Sequence, residues 1–253
     1  MIYGMYLSAQ GAEAQSFRQD IISNNLANAS TNGFKRSLAI CQAHHPHDVE
    51  HGIDVPLPGD VNRQAGGIAV TEVITDYANG TLERTGGKFD VALAGPGFLR
   101  VTDGKQEFLT RDGKLDIDQQ GTVVTHGQRL AVLGTTGAPL SMIPEGGPPE
   151  ISSEGIITQD GGKITVGQLA LAEPANYRGL IKVGQNMYRS PGPTPPAGPQ
   201  VQVRQGHLES SGVRPVLEMM DLIESSRVFE ANVNMIRTQD ESLDRLITSL
   251  PRK

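Results

Sequence analysis

Hydrophobic and polar positions divide the chain into stretches with different periods. Over about residues 2–28, Tyr3, Leu7, Gln10, Ala14, Phe17, Ile21, Asn24 and Asn28 recur at alternating steps of four and three. That spacing stacks side chains along one stripe of an α-helix. The stripe begins apolar and ends in amides. Ala29-Ser30-Thr31-Asn32-Gly33 then stops the helix, because Asn and Gly tolerate the left-handed conformation of a helix exit. Over about residues 213–250, Met219, Leu222, Ser226, Phe229, Val233, Ile236, Asp240, Leu243, Ile247 and Leu250 fall at alternating a and d positions of a heptad, and only Ser226 and Asp240 are polar. A seam kept over that length predicts a coiled-coil-like helix, roughly 50 Å long at ~1.5 Å per residue.

Between the two helices the period shortens. Asp90–Ala94, Phe98–Thr102 and Thr122–Thr125 read as strands, and Asp103-Gly104, Asp112-Gly113, Gln120-Gly121 and Asp160-Gly161 separate such runs. Asp-Gly supplies the positive φ angles of tight hairpins, so the stretch is antiparallel β, with proline-rich loops at Pro144–Pro149 and Pro191–Pro199. Residues 35–65 follow neither period and read as an extended connector. The expected fold class is α+β: long N- and C-terminal helices pairing in a coiled-coil-like manner, with an inserted antiparallel β domain. The expected segments are an N-terminal helix at 1–34, the connector at 35–65, a β-rich domain at 66–205 and a C-terminal helix at 206–253.

A long helix with an apolar stripe must bury it. Pairing the terminal helices leaves the β domain as an outward insertion and still exposes apolar area that further copies would cover; a head-to-tail contact of that kind builds rings or filaments. A helical hairpin packed on its own β domain satisfies the same pattern, and periodicity alone leaves both open.

Composition narrows the function classes. Net charge is −6, with Lys and Arg scattered, which argues against a nucleic-acid binder. Aromatics are 4% with no Trp, beside 30 Gly and 16 Pro, so many positions serve turns. The single Cys41 excludes an internal disulfide. No apolar run reaches the ~18 residues of a membrane span, so no membrane insertion is expected. The N-terminus lacks a secretory signal: no Lys or Arg precedes Arg18, and Gly4, Ser8 and Gln10 interrupt the apolar positions. Gly95-Pro96-Gly97 lacks the next Gly of a dinucleotide loop, and no P-loop Lys or Gly-x-Ser-x-Gly elbow occurs. The chain is therefore read as no enzyme, with no catalytic residue and no cofactor. His44-His45-Pro46-His47-Asp48-Val49-Glu50-His51 offers ligands for a divalent ion. No structural-zinc spacing is matched and a connector gives no preformed geometry, so the segment is read as a solvated loop and no metal is assigned.

The run Ile22-Ser23-Asn24-Asn25-Leu26-Ala27-Asn28-Ala29-Ser30-Thr31-Asn32-Gly33-Phe34-Lys35-Arg36 resembles the N-terminal signature of flagellar basal-body rod and hook proteins. Leu93-Ala94-Gly95-Pro96-Gly97-Phe98, followed by Thr110-Arg111-Asp112-Gly113 and Gly121–Thr125, resembles the same family. So does Gly206-His207-Leu208-Glu209-Ser210-Ser211-Gly212-Val213, leading into Glu218–Ile223. The blocks stand in the family's order and cover nearly the whole chain. The resemblance implies a structural subunit that leaves the cell through the flagellar type III apparatus without signal cleavage. It also implies assembly into the tubular drive shaft of the basal body, in the periplasm. Its partners would be other copies, other rod and hook subunits, and ring proteins around the rod. The length fits both proximal and distal rod subunits. On this reading Leu7, Ala14, Phe17, Ile21, Asn24, Asn25, Asn28, Met219, Leu222, Phe229, Val233, Ile236, Leu243 and Ile247 form the assembly interface. The three asparagines either end the helix or fix register between subunits, and Gly33 serves the chain reversal. The competing function is a soluble β-rich module for glycans or peptidoglycan that uses its helices only to dimerise.

Overall fold

The computed structural model describes residues 2–44, 67–143 and 146–249. The chain forms two compact units, one of residues 1–27, 37–75 and 214–253, the other of 28–36 and 76–213. Together they give the mixed α+β class, with a long helix near each end of the chain and antiparallel strands between.

The first unit contains both long helices, α1 (Ile2–Ala27) and α2 (Pro215–Ser249). Pro215 opens α2, where its fixed φ suits the first turn and its missing N–H would have had no helical partner. Glu218 adds a negative charge near that end, which the helix dipole favours. Two strands complete the unit, β1 (Ser37–His44) and β2 (Gly67–Thr75). They pair antiparallel from Ser37 opposite Thr75 to His44 opposite Gly67, with an irregularity between Ile40 and Cys41, and both pack on α1. The first part of the segment read as a connector is thus a strand. Its ladder partner lies beyond residue 66, so no local alternation announces it; residues 45–65 lie outside the described residues. Cys41 is exposed.

The second unit is the β domain. Its largest sheet runs, neighbour by neighbour, through Ile181–Gly184, Met187–Arg189, Glu107–Thr110, Phe98–Thr102, Ala131–Val132, Val123–Thr125 and Leu115–Ile117, with Leu171–Ala172 added beside Phe98 and Leu99. Smaller sheets pair Glu150–Ile151, Ile156–Gln159 and Ile164–Gln168, join Val91–Ala94 to Gln202–Gln205, and join Leu82–Arg84 to His207–Glu209. Every pairing is antiparallel. The core is aliphatic, with Val91, Leu93, Leu99, Val101, Val123, Val132, Leu169 and Val203 all buried. Four aromatic rings collect in a second cluster, where Phe98 and Tyr188 lie 5.4 Å apart and Tyr77 and Tyr177 pack around them.

Three of the expected turn pairs are turns between paired strands. Gly104, Gly121 and Gly161 all have positive φ and close the connections after Thr102, Ile117 and Gln159. Asp112-Gly113 is different, because the strands it joins are not neighbours in the sheet. Gly113 is needed for space: a Cβ there would lie 1.5 Å from the Val91 carbonyl oxygen, and its own carbonyl accepts from Val91 N at 2.9 Å. Gly113→Ala is expected to destabilise the β unit by about 3 kcal/mol through overpacking against backbone. Urea unfolding followed by near-UV circular dichroism measures it, and an unchanged midpoint would show that the backbone yields at no cost.

Candidate assembly interface

The helices α1 and α2 pack against each other in opposite directions. Gly4 meets Gln239, Gly11 meets Asn232, Gln15 meets Ser225 and Asn25 meets Glu218. Along α2 the facing stripe is Glu218, Leu222, Ser225, Phe229, Asn232, Ile236, Gln239 and Leu243, every member buried or half-buried. Polar and apolar residues alternate along it. The reason lies on α1: a Cβ at Gly4 or Gly11 would come within 3.0 Å of the Gln239 or Asn232 amide, so the missing side chains make room for amides against the helix backbone. Ser225 Oγ donates to Gln15 O at 3.2 Å and to Gln15 Oε1 at 2.9 Å.

The period of four and three is therefore present in both helices, but the contact stripe lies one residue away from the apolar count at half its positions. Leu222, Phe229, Ile236 and Leu243 are on the facing stripe. Val233 is half-buried beside it, whereas Met219 and Ile247 are exposed. On α1, Ala14 is buried, Leu7 and Ile21 are half-buried, and Phe17 is exposed.

The asparagines separate into different roles. Asn25 is buried; its Nδ2 donates to Ser37 O at 2.8 Å and to Glu218 Oε2 at 3.3 Å, and its Oδ1 accepts from Ser37 N at 3.0 Å. One amide thus ties α1 to β1 and α2. Asn28 closes the helix exit, accepting from Thr31 through its carbonyl at 3.1 Å and its Oδ1 at 3.2 Å. Asn24 is exposed.

Residues 32–35 enter the β unit at a buried charge cluster. Glu209 is 2% exposed, Lys35 1% and Arg111 4%. Lys35 Nζ donates to Glu209 Oε1 at 2.7 Å and to Ala78 O at 2.7 Å. Arg111 Nη1 donates to Glu209 Oε2 at 3.1 Å and to Leu93 O at 3.3 Å, and its Nη2 donates to Gly95 O at 2.7 Å. Gly80 N donates to Glu209 Oε1 at 2.8 Å, and Gly33 N donates to the Glu209 carbonyl at 2.7 Å. Burial pushes the Lys35 ammonium below the ordinary lysine range, while the Glu209 carboxylate pulls it back up. Gly33 has φ +66° and a Cβ on it would lie 2.3 Å from the Arg111 carbonyl oxygen, so the reversal and the close approach both require glycine. Above it, Lys182 Nζ donates to Lys35 O at 2.8 Å and sits 4.3 Å from the Phe34 ring centre.

Sequence reasoning assigned no role to Lys35, Arg111, Glu209 or Lys182. Periodicity finds stripes, whereas these charges lie in short strands and loops far apart in the chain. A signal was nonetheless present: Lys35, Arg111 and Glu209 each belong to one of the blocks that carry the family resemblance. His45–His51 lie outside the described residues. Among the described residues no group of His, Cys, Asp or Glu is arranged to hold a metal ion, and no helix is long and apolar enough to cross a membrane.

Comparison with known proteins gives matches at both ends and along the whole chain. Residues 5–35 match the family model described as flagella basal body rod protein, and residues 204–249 match that of the flagellar basal body rod FlgEFG protein C-terminal. The flagellar basal-body rod protein FlgG of Buchnera aphidicola subsp. Schizaphis graminum is 35% identical over 97% of this chain and 99% of its own length. FlgF of Caulobacter vibrioides is 33% identical over 86% of this chain and 85% of its own. FlgG of Bacillus subtilis is 29% identical over 98% of each.

Two measurements follow from this geometry. Asn25→Ala removes both donations and the accepted bond while keeping the helix backbone. It is expected to destabilise the helical unit by about 2 kcal/mol, read as a lower denaturant midpoint of the helical circular dichroism signal; an unmoved midpoint would mean that water replaces the amide freely. The second concerns pH. Burial pushes Lys182 from the ordinary lysine value of 10.5 down to about 8. Between those pH values Lys182 keeps its proton in the unfolded chain and has lost it in the folded one, so the contribution of this group to stability rises as pH rises from about 8 to 10.5. Comparing wild type with Lys182→Met across that window isolates the contribution; parallel stability curves would refute it.

Proposed function

The chain belongs to the flagellar basal-body rod protein family, a structural family and not an enzyme family, and from that premise we propose how it works as a rod subunit. It assembles with copies of itself and with other rod and hook subunits into the tubular drive shaft, through its terminal helices. It is exported by the flagellar type III route with its N-terminus intact and takes its place in the periplasmic part of the basal body, where ring proteins surround the rod.

One observation carries the assembly reading. Although α2 is already paired with α1, its first turns keep an apolar ridge in the open: Val216 is 65% exposed, Met220 61%, Ile223 56% and Met219 45%. These positions follow the i, i+3, i+4, i+7 spacing of one helix face. Such a contiguous apolar face marks an interaction surface. Phe17 on α1 and Ile247 near the end of α2 are also exposed. The facing stripe, half of it polar, supports register within the pair, and the outward apolar residues support contacts between subunits. Coiled-coil-like packing of the helices belongs to that assembled state.

Met220→Glu with Ile223→Glu tests this. Neither residue is buried, so the chain is expected to keep its helical content and its unfolding midpoint within about 0.5 kcal/mol. Two buried charges at a subunit contact would cost several kcal/mol, so the variant should be missing from purified basal bodies and should not restore swimming to a strain lacking the gene. A variant that enters basal bodies and swims like wild type would remove the ridge from the assembly surface.

A further inference from the structure

The chain has two Asn-Gly pairs, Asn32-Gly33 and Asn79-Gly80, and both glycine nitrogens are held by the same residue. Gly33 N donates to the Glu209 main-chain carbonyl at 2.7 Å, and Gly80 N donates to Glu209 Oε1 at 2.8 Å. Asn-Gly is the dipeptide most prone to spontaneous deamidation, because glycine puts no side chain in the way of the ring closure. We propose that Asn32 and Asn79 are latent deamidation sites and that Glu209 keeps both closed.

In the reaction the glycine backbone nitrogen gives up its proton and attacks Cγ of the preceding asparagine. A C–N bond forms, ammonia leaves from the side-chain amide, and a five-membered succinimide results. Water then adds to either carbonyl of the ring and opens it to aspartate or isoaspartate, so the net change is water in and ammonia out. The step needs a glycine N–H that can be deprotonated and a peptide plane that can swing toward Cγ. A nitrogen whose proton is engaged by an acceptor lacks both freedoms.

Asn79 is the more informative site. It is exposed, so water reaches it and shielding does not protect it. The peptide groups on either side of it are held instead. Lys35 Nζ donates to Ala78 O at 2.7 Å on one side, and Glu209 Oε1 accepts from Gly80 N on the other. That carboxylate oxygen also accepts a hydrogen bond from Lys35 Nζ at 2.7 Å, so it is held in place on the nitrogen it engages. At Asn32 the clamp is main chain to main chain. There the following glycine is fixed at φ +66° against the Arg111 carbonyl, and Asn186 Nδ2 donates to Asn32 O at 2.7 Å.

The two clamps use different atoms of Glu209, and this makes the proposal testable. Full-length wild-type protein is incubated at mildly alkaline pH beside synthetic peptides spanning each Asn-Gly pair. Deamidation and isoaspartate at each site are then quantified by peptide mapping and mass spectrometry. Both sites in the protein are expected to react at least roughly tenfold more slowly than in the peptides, as loss of one engaged charged hydrogen bond implies. In Glu209→Gln, Asn79 is expected to accelerate roughly tenfold, while Asn32, still held by the main-chain carbonyl of residue 209, stays at its wild-type rate. Peptide-like rates at either site in the wild-type protein would overturn the proposal without recourse to any variant. An unchanged Asn79 in Glu209→Gln would overturn it as well. So would equal acceleration of both sites, since that pattern belongs to general loosening of the fold and not to a specific clamp.

Discussion

A carboxylate buried between two cations organises the β unit. Removing Glu209, Lys35 and Arg111 from water is costly, and ion pairing alone does not recover such a cost unless the remaining donors are satisfied. Here most of them are. The carboxylate accepts from Lys35, Arg111 and Gly80, and the surplus donors of the two cations go to the carbonyls of Ala78, Leu93 and Gly95. The cluster therefore fixes backbone as much as it pairs charge. It joins the strand His207–Glu209 to the segment after α1, to the segment around Asn79 and to the end of the strand Val91–Ala94. A purely apolar centre of equal volume would pack as densely but would leave those carbonyls without donors, and a buried carbonyl without a donor is itself expensive.

The helical unit solves a different problem. A helix pair in water would gain most from a continuous apolar seam, yet the stripe by which α2 meets α1 alternates Glu218, Ser225, Asn232 and Gln239 with Leu222, Phe229, Ile236 and Leu243. Glu218 and Ser225 bond across to Asn25 and Gln15, whereas Asn232 bonds to Val228 O in its own helix, so the seam gives up hydrophobic energy and gains register at the first two positions. Asn25 extends the same logic to β1 by exchanging two hydrogen bonds with Ser37. Met219 and Ile247, which an apolar heptad seam would have used, stand exposed on α2 instead.

Much of this was legible in the residues, but unevenly. Both long helices, the antiparallel β insertion and three of the four turn pairs follow from period and turn chemistry, which are local properties. The phase of the helix contact did not follow. Heptad counting ranks positions by hydrophobicity, and it passes over Gly4 and Gly11, whose value lies in the side chains they lack. The strand Ser37–His44 was hidden because its partner is not adjacent in sequence. The charge cluster was hidden for the same reason. Lys35, Arg111 and Glu209 are ordinary surface residue types until the fold brings residues 35, 111 and 209 together, and a single sequence carries no pattern that pairs them.

The blocks behind the family resemblance then acquire a common physical meaning. Asn32-Gly33-Phe34-Lys35 supplies the reversal and one cation. Thr110-Arg111-Asp112-Gly113 supplies the second cation and the close crossing against Val91. Leu93-Ala94-Gly95 supplies two of the carbonyls, and Gly206–Val213 supplies the carboxylate together with Gly212, whose N donates to Phe34 O at 2.9 Å. Each block is meaningful only with the others, since each holds donors or acceptors that the rest must satisfy. Asn25 is likewise satisfied within its own chain. These signature positions thus shape the subunit, whereas the exposed ridge at the start of α2, Val216, Met219, Met220 and Ile223, takes part in none of those bonds. On the proposed assembly the signature stretch Glu218–Ile223 serves both ends, since Glu218 accepts from Asn25 within the chain while Met219, Met220 and Ile223 stand exposed for a neighbour.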